Sequence, residues 1–304
     1  MKKLFILVAV VSFTAVSCKK EGCTNPEATN YDSKAKKDDG SCVLEENGPR
    51  LIIKLQFDPT QPRLDNFGNP ATVGAGNSAQ TPTFHGMSAH YIELAQDQWT
   101  QLGSGEIVYH GAETTAGGSN AADFSKAIVK GNNETFLSIP LSQVNADTYN
   151  WMRVSLTYQK FDIDYTSSGF DLTGRLASFV GFNTYITNYT IQNQSVTLNQ
   201  NKLQGYWGFE TVGQVYEGQS AATTVPNPLS ATSPIPAGSC VVTGSFDTPF
   251  TITGNETEDI TVVLKLSTNQ SFEYHDDNMN GKYEPLDGDY PVDMGLRGLK
   301  PVVQ

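Results

Sequence analysis

The sequence predicts an all-β chain: an antiparallel β-sandwich with long surface loops, preceded by a small disulfide-closed module. Three observations predict it. Runs of alternating apolar and polar residues, rich in β-branched and aromatic side chains, recur from Leu51 to His275. Loops containing Gly, Asn, Ser and Pro separate these runs. The 10–15-residue helical periods that a βαβ architecture would place between strands do not occur in that stretch.

Residues 1–17 come first and read as an export signal. Met1-Lys2-Lys3 leads into an apolar run from Leu4 to Val16 interrupted only by Ser12 and Thr14, too short to cross a bilayer as a helix. The run ends in Ala15-Val16-Ser17-Cys18, which resembles a bacterial lipobox. That resemblance implies cleavage before Cys18 and acylation of its thiol, hence a lipid-anchored cell-envelope protein, at the outer membrane on its surface or periplasmic side. The chain behind the anchor is acidic. Its 304 residues carry 20 Lys plus Arg against 32 Asp plus Glu, a net charge of −12, so nothing in the overall field attracts nucleic acid. The expected partners are the membrane, through the lipid anchor, and an envelope protein complex or a glycan.

The module at 18–42 follows from the cysteines. With Cys18 acylated, Cys23 and Cys42 form the natural pair in an oxidising compartment, and Cys240 is left over as a small buried hydrophobe. Closing a loop of about 20 residues stabilises by roughly 3 kcal/mol in the chain-entropy picture, which matters in a segment too small to bury a core. Cys23-Thr-Asn-Pro-Glu-Ala-Thr-Asn-Tyr-Asp32 and Lys37-Asp-Asp-Gly-Ser-Cys42 resemble a short module common on surface proteins of the Bacteroidota. Asp38 and Asp39 are an acidic turn that a disulfide closes without requiring an ion. Residues 43–50 read as a polar linker.

From residue 51 onward strands follow one another. Leu51, Ile53 and Leu55 open the domain, and further runs are expected at about 83–95, 106–110, 134–141, 148–165, 172–190, 194–198, 203–212, 239–246, 248–253, 258–267 and 270–275. Asn120 to Val129 reads as a short helix. Within 148–165 the apolar face changes phase, from Met152, Val154, Leu156 and Tyr158 to Phe161, Ile163 and Tyr165, so a bulge or turn is required near Gln159-Lys160. Asp162 and Asp164 then share the opposite, solvated face. Residues 64–82 and 217–239 read as long surface loops.

Two segments carry donor sets for metals. Asp276-Asp-Asn278-Met-Asn280-Gly281-Lys282 and Asp287 fit a D-x-N-x-N-G turn with a carboxylate at the twelfth position. Asp276, Asn278, Asn280, the Lys282 carbonyl and Asp287 are therefore the expected ligands of a structural Ca²⁺, and the strand before the turn argues against a sensing EF-hand. The second segment is Phe84-His85-Gly-Met87-Ser-Ala-His90. In a regular strand His85 and Met87 share a side, an imidazole and thioether pair suited to copper, and His90 joins them only if a bend brings it round. A first strand at Leu51–Phe57, the strand Ala89-His-Tyr-Ile-Glu-Leu94, and Leu141 with Thr148-Tyr149 leading into another strand are similar to the methanobactin-associated copper-binding lipoproteins. That resemblance implies a copper-binding envelope lipoprotein.

Tyr149, Trp151, Tyr185, Tyr189, Tyr206, Trp207 and Phe209 suit a sugar-stacking platform or ordinary packing. The sequence has no G-x-S-x-G, H-E-x-x-H or phosphate-cradling glycine loop. The expectation is a non-enzymatic, calcium-stabilised binding or assembly component of the envelope. A copper-binding lipoprotein and a carbohydrate-binding accessory protein are the alternatives.

Overall fold

A computed structural model describes residues 20–42 except 27 and 29, 48–220 except 66, and 232–304. The signal segment and Cys18 lie outside them. Among the described residues no helix is long and apolar enough to cross a membrane. The chain divides into two compact units, residues 1–47 and 48–304.

In the first unit the disulfide forms as expected between Cys23 and Cys42. The Gly22 N–H donates to the Lys37 carbonyl and the Asp32 N–H to that of Cys23, at 3.1 and 3.0 Å. Asp38 and Asp39 accept the backbone N–H groups of Gly40 and Ser41, at 3.1 and 3.0 Å, so the acidic turn answers its own donors.

The second unit is all-β. Its largest sheet runs β13 (Gln214–Gln219), β12 (Tyr206–Thr211), β9 (Phe170–Phe179), β8 (Asp147–Ser167), β3 (Thr83–Ala95) and β4 (Glu106–His110), and β14 (Cys240–Ile252) also pairs with β8. A four-stranded sheet runs β18 (Leu299–Val303), β15 (Ile260–Ser267), β1 (Arg50–Asp58) and β7 (Thr135–Pro140). A second runs β11 (Ser195–Leu203), β10 (Asn183–Thr190), β6 (Ala121–Asp123) and β5 (Glu113–Thr114). A small sheet joins β17 (Tyr290–Met294), β16 (Phe272–His275) and β2 (Asn77–Gln80). Most pairings are antiparallel, but β1 with β15 and β10 with β6 are parallel.

The large sheet packs on both faces. One face carries Met152, Val154 and Leu156, then Phe161, Ile163 and Tyr165, into a core shared with Leu51, Ile53, Leu55 and Val262, Leu264, Leu266. The other carries Tyr158, Ala177 and Phe179 against Ile186, Tyr189 and Ile191. A strand buried on both sides needs no polar face, which is why β3 is buried from Gly86 through Ala95.

The phase change in β8 is real, and pairing with β3 locates it. Register passes from Ser88↔Tyr158 to Ala89↔Leu156, leaving Thr157 as the extra residue, two positions before the expected point. Two more bulges lie on β3 itself. Phe84↔Phe161 is followed by Gly86↔Lys160, and Ala89↔Leu156 by Tyr91↔Ser155, so His85 and His90 are the extra residues. Bulges re-aim side chains and gather near functional sites. The expected helix at 120–129 is instead β6 followed by a single 3₁₀ turn at Phe124–Lys126, capped by the Asp123 carboxylate on the Ser125 N–H at 3.1 Å.

Candidate metal centre

The bulge at His90 turns its ring out of the β3–β8 ladder and toward β4. The Gly111 N–H donates to the His90 carbonyl at 2.7 Å, which ties the end of β4 to the bulge. His110, the last residue of β4, pairs with Tyr91. Three residues later the chain enters β5, where Glu113 pairs with Ala122. One donor atom from each of His90, His110 and Glu113 then lies within 4.8 Å of the others. Glu113 Oε1 stands 3.0 Å from His90 Nε2 and 3.3 Å from His110 Nε2.

Each side chain is held from behind. His90 stacks on Phe182, ring centroids 5.3 Å apart, and His110 stacks on Tyr91 at 4.2 Å. The Asn120 amide donates to Glu113 Oε2 at 2.8 Å, which leaves Oε1 for the two imidazoles. The His90 side chain is 1% exposed, Glu113 25% and His110 48%, so the group has a dry floor and a wet mouth.

The electrostatics suit a cation. Burial pushes His90 down to about 4, against a smaller opposing pull from Glu113, so its imidazole is neutral at pH 7 and its lone pair is free for coordination. Burial works to raise the Glu113 carboxyl. Hydrogen bonds from Asn120 and His110 and the nearby imidazoles outweigh it, so Glu113 titrates below its usual range. Both ring nitrogens of His90 are buried and make no hydrogen bond, although Glu113 Oε1 lies 3.0 Å from Nε2. An unanswered buried donor or acceptor costs about 1–3 kcal/mol. A metal ion held by His90 and Glu113 would answer the ring nitrogen that faces Glu113, so the residues present fit one.

The same bulges separate the copper ligands expected from the sequence. His85 is exposed, with Nε2 2.7 Å from Asp162 Oδ2, and Arg175 joins both residues. Met87 is fully buried in the main core. The extra residue at His85 breaks the alternation that would have put His85 and Met87 on one side, so only His90 of the three belongs to the cluster. His110 and Glu113 were not among the expected ligands. Their only sequence signal is Tyr109-His110-Gly-Ala-Glu113, a His and a carboxylate flanking a strand end.

The acidic turn near the C-terminus folds on itself. Asp276 is buried and accepts from the Ser78 hydroxyl at 2.6 Å and from the N–H groups of Asn280 and Gly281 at 3.1 and 2.8 Å. Asn278 and Asn280 donate their amides to Glu284 Oε2, at 2.9 and 2.7 Å, and the Lys282 N–H donates to Asn280 Oδ1. Asp287 is exposed. The carboxylate that closes the turn is Asp289, which accepts the N–H groups of Asp277 and Glu284 at 2.9 and 2.8 Å. Asp276, Asn278 and Asn280 are thus brought together with Glu284 and Asp289, and Asp287 stands apart.

Of the remaining candidates, Cys240 packs on the main core, and burial pushes its thiol up to about 12, so it is not a reactive thiolate at neutral pH. Asp162 and Asp164 occupy one face as expected, the first ion-paired with Arg175 and the second accepting from the Thr173 hydroxyl at 2.7 Å. Tyr149, Tyr189 and Tyr206 are buried packing residues. Comparison with protein families, with curated proteins and with solved structures finds no match to this chain.

Proposed function

We propose that the chain is an exported, lipid-anchored envelope protein that binds one transition-metal ion, copper(II) first in order of affinity, through His90, His110 and Glu113. The observation that carries this reading is the buried, neutral His90 imidazole, neither of whose ring nitrogens makes a hydrogen bond, facing a second imidazole and a carboxylate within 4.8 Å. Two imidazoles and one carboxylate suit copper and zinc, and copper(II) leads the divalent first-row series at such donors. Three protein donors leave a coordination position open, and the half-exposed His110 lets solvent reach the ion. Those features favour reversible binding and exchange over a permanent structural plug. The lipobox-like segment ending at Cys18 supports anchoring by acyl chains, and the acidic turn at 276–289 supports calcium as a second, purely structural ligand.

The test is metal analysis after dialysis of the purified protein against one buffered metal at a time. One copper per chain is expected, with zinc also bound and Mg²⁺ giving no stoichiometric occupancy at this cluster. Copper no higher than in an albumin-free buffer blank overturns the proposal.

A further inference from the structure

A second candidate site has a different chemistry from the metal cluster. Between the large sheet and the C-terminal segment lies a cleft of about 510 Å³. Its floor is Leu176, Trp207 and Phe209, from β9 and β12, and its far wall is Phe272, Tyr283 and Met294. The cleft shares no lining residue with the metal cluster. A volume between about 300 and 1,000 Å³ with mostly apolar walls is the common form of a small-molecule pocket.

Its lining has no charged residue, although the chain as a whole carries −12. Two of its polar ring ends are already used. The Tyr165 hydroxyl shares a hydrogen bond with Thr211 Oγ1 at 2.8 Å, and the Trp207 N–H donates to Ser220 Oγ at 3.1 Å. A sugar needs many free donors and acceptors, and those of Tyr165 and Trp207 are already engaged. A charged ligand would lose its hydration with nothing to replace it.

The rim gives an independent reason to expect a ligand. Val212, Tyr216 and Leu286 are 76%, 56% and 72% exposed at the mouth. Val212 opens the two-residue turn Val212-Gly213 between β12 and β13 with φ of 47°. A β-branched residue in the left-handed region is a true outlier, and Asn is the residue such turns favour. Backbone strain of this kind marks functional positions. Here it holds an isopropyl group at the cleft mouth.

We propose that this cleft binds an uncharged, apolar, ring-bearing small molecule, held between its aromatic walls and covered by Val212 and Leu286. Aromatic faces and edges on both sides favour an offset-stacked or edge-on ring over a flexible alkyl chain.

The experiment titrates the purified protein with the uncharged fluorophore N-phenyl-1-naphthylamine, excited directly. Saturation at one probe per chain is expected, with displacement by phenanthrene at lower concentration than by decan-1-ol. Leu172→Trp, which fills the cleft, is expected to weaken binding at least tenfold. The double rim variant Val212→Asn with Leu286→Ser is expected to weaken it at least fivefold while folding normally, because Asn suits the turn and both sites are exposed. Non-saturable fluorescence, or binding unchanged in both variants, overturns the site. More effective displacement by decan-1-ol overturns the assignment to a ring-bearing ligand.

Discussion

His90→Ala is expected to weaken copper binding at least 100-fold, equivalent to about 3 kcal/mol. The ring is the one donor of the cluster enclosed by protein, and its neutrality comes from burial, so no exposed residue can take its place at the same cost in ordering. His110→Ala is expected to cost less, because its ring is half-exposed and water can occupy the vacated position. Asn120→Ala, which frees Glu113 to rotate, belongs to the range of roughly 10–100-fold found for residues that orient a ligand. His85→Ala is the control. Its imidazole is committed to Asp162 and Arg175, so copper affinity should not change. Competition against a chromophoric chelator measures all four, with urea midpoints showing that each variant is folded. Equal loss in His85→Ala and His90→Ala contradicts the assignment.

Glu273→Ala is expected to destabilise the large unit by about 3–5 kcal/mol, the usual consequence of removing one partner from a buried ion pair. Glu273 on β16 is 4% exposed, and Arg63, from the loop after β1, is 5% exposed. Glu273 Oε1 accepts the Gly74 N–H at 3.0 Å and the Asn77 amide at 2.6 Å, and Oε2 pairs with Arg63 and lies 3.5 Å from Arg297. Burial alone would raise this carboxyl. The Asn77 and Gly74 donors and the two guanidinium groups outweigh it, so Glu273 is held ionised. Truncation therefore strands the Arg63 charge in the interior and frees the 64–80 loop from β16. Urea unfolding followed by tryptophan fluorescence measures the loss, and a change below about 1 kcal/mol would mean that water replaces the carboxylate.

Much of the strand pattern was legible because alternation survives wherever one face is buried. The expected runs at 83–95 and 106–110 coincide with β3 and β4. The expected pair of runs at 239–246 and 248–253 is one strand, β14, whose pairing with β8 shifts register between Ser245 and Phe250. What stayed hidden has physical causes. Asn77-Ser-Ala-Gln80 contains one apolar residue, so it reads as loop, yet it pairs with β16 as an edge strand. Gln214–Gln219, which lies past the run expected at 203–212 and overlaps the start of the loop expected at 217–239, likewise pairs only with β12. The parallel β1–β15 ladder joins Leu51 to Ile260, and no local pattern announces a partner so far along the chain. Ala121 and Ala122 have helical propensity, but pairing with β5 and β10 overrides it.

The site was half legible. His90 was singled out by residue type, with the condition that a bend must bring it round. The bend exists, as a one-residue bulge that carries His90 away from His85 and toward His110. A bulge shifts pairing without changing composition, so the side chain's direction could be read only once the β3–β8 register was known. The pairing of Cys23 with Cys42 was readable because the lipobox-like cysteine and the strand-borne Cys240 each had another place to go.

X-ray absorption of the protein loaded with one equivalent of copper tests the central claim most directly. The account predicts a first shell of nitrogen and oxygen with the multiple-scattering signature of two imidazole rings, reduced to one ring in His90→Ala. A sulfur scatterer, which would return Met87 or Cys240 to the metal, contradicts it, as does a spectrum indifferent to the loss of both His90 and His110.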